Sequence, residues 1–140
     1  MIQRIIQGYK YLFYKLYISL EKYSSPRFWS EWKAASLLTL IIYSIFQSLI
    51  IYYEIYINRY SSLGNNYFVI FGFTTFVFIL NYYLFMKDDK WKEVVKEFDK
   101  IPKKKNQIGT ILCCVFFLLC ILNIIYAFYL LSQIDWSLYK

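Results

Sequence analysis

The stretch IGTILCCVFFLLCILNIIYAFYLL, residues 108–131, decides how the rest of the chain is read. It holds no charged residue. About 24 residues rising roughly 1.5 Å each reach about 36 Å, which crosses a hydrocarbon core of about 30 Å with some tilt. Its small and polar residues follow a heptad-like seam of Gly109, Cys113, Cys120, Asn123 and Ala127, widened by Thr110 and Cys114. Ile111, Leu112, Val115, Leu118, Leu119, Leu122 and Ile125 cover the opposite side. In lipid, helices associate through small residues that let backbones approach and through polar groups that bond across. This third apolar helix is therefore the expected packing spine, with Gly109, Cys113, Cys120 and Ala127 as its contact seam.

Working outward, two more uncharged apolar blocks occupy residues 34–53 and 67–86. The chain is 59% hydrophobic and 24% aromatic, against about 45–50% apolar for a soluble domain. Blocks of this length mean membrane. The expected fold is all-α, an integral membrane protein with three transmembrane helices at 34–53, 67–86 and 108–131. Residues 54–66 form an external loop, residues 87–107 a basic cytoplasmic loop, and residues 132–140 an external tail.

Residues 1–33 read as a cytoplasmic amphipathic segment. Ile2, Ile5, Ile6, Tyr9, Leu12, Phe13, Leu16, Tyr17 and Leu20 recur at helical spacing, with Gln3, Arg4, Gln7, Lys10 and Lys15 between them. That pattern predicts a helix lying in the headgroup plane, with a core helix packed against other protein as the alternative. Ser25 is placed to cap the following helix and Pro26 to occupy its first turn. Phe28, Trp29 and Trp32 suit the water boundary. In the basic loop, Trp91, Val94, Val95, Phe98 and Ile101 predict a second surface helix between Asp89 and Pro102, resting on the bilayer or against the N-terminal helix.

Charge sets the expected orientation. Lys87, Lys90, Lys92, Lys96, Lys100, Lys103, Lys104 and Lys105 crowd the second loop, and Arg4, Lys10, Lys15, Lys22, Arg27 and Lys33 the N-terminal segment; the other side carries Arg59 and Lys140. Positive charge flanking spans stays in the cytoplasm. The N-terminus is thus expected inside and the C-terminus outside, in a bacterial inner (plasma) membrane. The net charge of +7 sits beside apolar blocks, which points to anionic lipid and away from nucleic acid. Lys96, Lys100, Lys103, Lys104 and Lys105 are the expected lipid contacts.

Catalytic constellations are not expected. The chain has no His, so Cys113, Cys114 and Cys120 cannot form a Cys/His metal site or a Cys–His nucleophile within one copy, and they read as small packing residues. Asp88 and Asp89 lie beside Lys87 and Lys90, which keep them ionised, and a helix cap is their expected role. No enzyme activity, cofactor or metal is expected.

Neutral polar residues inside the apolar blocks remain. Counted from the basic side, Gln47, Thr74, Thr75 and Asn123 lie at similar depth, about 17 to 22 Å along their helices. They are expected to hydrogen-bond between helices. The function so implied is non-catalytic: a membrane subunit or adaptor presenting a basic, aromatic face to anionic lipid, to a protein partner or to further copies of itself. The alternative is a homo-oligomeric pore or membrane-perturbing effector lined by Gln47, Thr74 and Asn123.

Overall fold

A computed structural model describes residues 1–24, 29–61 and 63–139. The expected roles of Ser25, Pro26 and Phe28 lie outside the described residues. Helix α1 spans Ile2–Tyr23, α2 Ser30–Tyr56, α3 Tyr67–Asn81, α4 Lys90–Asp99 and α5 Lys103–Ser132. No strand occurs among the described residues. Three apolar runs are long enough to cross a membrane: α2, the run that begins with α3, and α5, with mean hydropathies of 2.0, 1.9 and 2.8.

The centre of the bundle is α2, and this corrects the expectation for α5. Helices α1, α3 and α5 all pack on α2, whereas α3 and α5 have no extended contact with each other. The cause is side-chain size. Helix α2 carries Ala34, Ala35, Thr39 and Ser48 at successive contact levels, all buried, so neighbours approach it on more than one side. On α5, Cys113 and Ala127 are buried and Gly109, Cys120 and Asn123 half-buried, but the seven large aliphatics opposite are all exposed. One stripe of small residues holds one neighbour. Helices α2 and α5 run parallel, since Ser48 meets Asn123 while Ile51 and Ile55 meet Ala127. Helix α3 returns antiparallel, with Phe46 stacked on Phe73 and Thr39 bonded to Asn81.

Element boundaries shift outward from the apolar blocks. Helix α2 extends beyond 34–53 at both ends and takes Glu54 into its final turns. Helix α5 starts at Lys103, so the lysine triplet belongs to a helix and not to a loop. The second run does not stay α-helical: Tyr82–Met86 form a π turn, whose extra residue per turn swings the side chains that follow it. Asp88 and Asp89 then adopt left-handed backbone (φ 57° each) and break the run before α4.

Helix α1 does not lie as a free surface helix. Phe13 and Tyr14 are buried in a core with Ala34, Ala35, Leu38, Phe85, Val94 and Phe98. The Phe13 and Phe85 rings stack at 4.0 Å between centroids. Of the two placements expected for the basic-loop helix, the one against the N-terminal helix is found: the π turn and α4 cover α1 from one side and α2 from the other. Residues 1–8 remain exposed, including Ile2, Ile5 and Ile6.

Candidate functional site

The basic end is built where α1 crosses the ends of the other helices. Tyr11 lies against Gly109, where a Cβ would fall 1.9 Å from its hydroxyl, so the absence of a side chain at Gly109 lets α1 reach α5. Tyr11 donates to Asn106 Oδ1 at 3.1 Å. Lys15 also donates to both oxygens of Asn106 and, at 2.8 Å, to Thr110 Oγ1. Its ammonium stands 5.3 Å from the Tyr11 ring centre and 5.5 Å from that of Tyr14. Burial lowers the Lys15 pKa. This lysine is spent on fastening α1 to α5 and does not join the exposed basic set.

One level deeper, Asn81 joins three helices. Fully buried at the last turn of α3, it donates from Nδ2 to Thr39 Oγ1 at 2.7 Å, and its Oδ1 accepts from the Tyr9 hydroxyl. Tyr14 donates to Asp99 at 2.8 Å, tying α1 to the end of α4. Burial pushes the Tyr9 hydroxyl up to about 12, against a smaller opposing effect of Asn81. Burial, and then the bond to Asp99, push Tyr14 to about 12 as well. A phenol raised on folding contributes stability that is complete below its unfolded pKa near 10 and is lost as pH rises through 12. Alkaline titration followed at the phenolate absorbance is expected to show Tyr9 and Tyr14 among the late-ionising tyrosines, together with loss of α1 protection between pH 10 and 12.

The expected contact lysines Lys96, Lys100, Lys103, Lys104 and Lys105 are all exposed. Lys100 and Lys105 border a cleft of about 500 Å³ whose other walls include Tyr11, Glu97, Ile101, Ile108 and Leu112. Beside it, α5 begins with three lysines, no acidic residue in its first turn and no side-chain cap. The first N–H groups of a helix carry partial positive charge, so cations there are electrostatically unfavourable unless an anion joins them. Asp89 stands at the start of α4 without capping a backbone N–H; it pairs instead with Lys92 at 2.6 Å, which lowers its pKa.

The expected layer of Gln47, Thr74, Thr75 and Asn123 does not form one bonded set. Asn123 donates to Ser48 Oγ at 2.7 Å and accepts from the Tyr52 hydroxyl at 2.9 Å. Thr74 donates to the carbonyl of Ile70 in its own helix and lines a shallow apolar groove between α2 and α3; Thr75 is exposed on the other side. Gln47 Oε1 is buried without a hydrogen-bond partner among the described residues. Equal depth does not fix direction: consecutive residues of a helix differ by about 100°, so Ser48 meets Asn123 while Gln47 turns aside from it, into a space lined by Phe128 and Leu131 further along α5. Replacing Asn123 by Leu is expected to cost about 0.6–2 kcal/mol, read as a lower unfolding midpoint in detergent. Tyr9, Asn81, Tyr52 and Asn106 carry bonds the sequence reading did not assign.

No protein-family model, no curated protein and no solved structure matches the chain. Fold and site together define an all-helical chain with three helices long and apolar enough to cross a membrane.

Proposed function

We propose that this is a multi-pass membrane protein whose basic end lies on the cytoplasmic face and holds anionic lipid headgroups, making a platform for a protein partner, with no catalytic role. The observation that carries the reading is the start of α5. Three exposed lysines stand at an uncapped helix N-terminus next to a cleft with Lys100 and Lys105 at its rim and Ile108 and Leu112 below. A phosphate there meets lysine and helix N–H groups while its acyl chain follows the apolar side of α5. Glu97 also borders the cleft and accepts from Gln7 at 3.2 Å, which engages part of its charge.

A pore lined by Asn123 has less support, because both ends of that amide are used within one copy. The test is lipid retention. In nanodiscs or by native mass spectrometry, anionic phosphatidylglycerol should be retained over phosphatidylcholine, and added salt should weaken it. With each lysine near an anionic surface worth about 1 kcal/mol, Lys100→Gln with Lys105→Gln should reduce the preference by about 30-fold. Equal retention of both lipids by the unmodified chain would overturn the reading.

A further inference from the structure

At the end of the bundle away from the lysines, a cavity of about 330 Å³ opens between the last turns of α2 and α5. Its walls include Gln47, Glu54, Asn65, Phe128 and Trp136. Glu54 is the unusual member, being only 8% exposed. Its Oε1 accepts from the backbone N–H of Gly64 at 2.7 Å. A Cβ on Gly64 would lie 3.1 Å from the other oxygen, so the loop presses its backbone onto the carboxylate. Among the described residues, the ion pair is Lys92–Asp89 at the opposite end, and no cation is paired with Glu54. A buried carboxylate is costly unless it gains a counter-charge and further donors.

The rest of the wall says what kind of counter-charge fits. Gln47 carries the buried side-chain acceptor without a donor among the described residues. Its terminal torsion is soft, and a half-turn exchanges oxygen and nitrogen. Trp136 is pinned by its indole N–H, which donates to the Leu131 carbonyl at 3.1 Å, and together with Phe128 it offers aromatic faces to a cation. A metal ion would want several hard oxygen ligands, and the described residues hold no group of three acidic, Cys or His side chains suited to one. An organic cation with N–H donors and a short apolar body matches carboxylate, amide and aromatic walls at once.

We infer that this cavity binds a primary ammonium group, with Glu54 supplying the counter-charge, Gln47 an acceptor and Trp136 an aromatic wall. The inference does not rest on the lipid reading of the basic end. Such a group can arrive on a soluble amine or on a phosphatidylethanolamine headgroup. The full chain in phosphatidylcholine nanodiscs, titrated calorimetrically with propylammonium, should show saturable binding that tetramethylammonium and propanol do not reproduce. Glu54→Gln, which retains an acceptor for Gly64, should weaken it at least tenfold, and Gln47→Leu severalfold with the charge intact. Competition by added phosphatidylethanolamine assigns the site to the lipid; undiminished propylammonium binding assigns it to a soluble amine. Binding unchanged in Glu54→Gln, or no saturation by either source with the folded chain, overturns the inference.

Discussion

Phe13→Ala will free α1 from the rest of the bundle. The ring is fully buried, stacked on Phe85 at 4.0 Å, and close to the paired small residues Ala34 and Ala35 of α2. Truncating such a ring removes its transfer free energy and leaves a cavity, about 3–5 kcal/mol in all. The site cannot readily collapse, because Phe85 sits on a π turn whose geometry is fixed by its own backbone bonds. The polar bonds of Tyr9, Tyr11, Tyr14 and Lys15 remain, but each contributes only about 0.5–1.5 kcal/mol net, and residues 1–8 are exposed. Amide hydrogen exchange should therefore rise along the whole of α1 while the centres of α2 and α5 keep their protection. Cleavage by trypsin at Lys10 and Lys15 should speed up in parallel. Unchanged protection of α1 in the variant would mean that the polar bonds at Asn106 hold it without the aromatic core.

The second large effect is expected at Asn81. Asn81→Leu keeps the volume but strips Tyr9 of its acceptor and Thr39 of its donor. Thr39 can still donate to the Ala35 carbonyl at 2.9 Å, so the greater loss falls on the Tyr9 hydroxyl. A buried group left unpaired costs about 1–3 kcal/mol, and two bonds lost at one junction should lower stability by roughly 2–4 kcal/mol. Adding Tyr9→Phe removes the stranded hydroxyl and should recover part of the loss. Thermal unfolding of the two single variants and the double variant measures that coupling, expected at about 0.5–3 kcal/mol for residues in direct contact. Strict additivity would mean that Tyr9 finds another partner and that Asn81 acts through α2 alone.

How much of this was legible depends on the kind of signal. Three apolar blocks announce three long helices, because length and lack of charge are properties of each segment by itself. The small-residue side of α5 is also readable, since heptad spacing is local: Cys113 and Ala127 are buried and Leu118 and Leu122 exposed. What a partner helix presents is not local. Thr39 lies five positions after residue 34 and Asn81 five before residue 86, an equality of depth that could have suggested the pair, but only knowledge that these sides face each other makes it a bond. The same comparison of depths points to Gln47 and Thr74, which bond neither to Asn123 nor to each other. Glu54 follows the apolar block and so reads as loop, whereas α2 continues through it to Tyr56. The π turn has no sequence signature, and without it Phe85 would not be aimed at Phe13.

The bond from Lys15 to Thr110 spans 95 positions of chain. At roughly 5–20 residues per second, synthesis of the α5 anchor follows that of α1 by about 5 to 20 s. During that interval α2 and α3 can be made and paired, but Asn106, Thr110 and Gly109 do not yet exist to receive α1. Tyr11 and Lys15 wait for them, whereas Tyr9 and Phe13 can already meet Asn81 and Phe85. Helix α1 thus closes in two stages, first on α2, the π turn and Asn81, and afterwards on α5 as the clasp that completes the bundle.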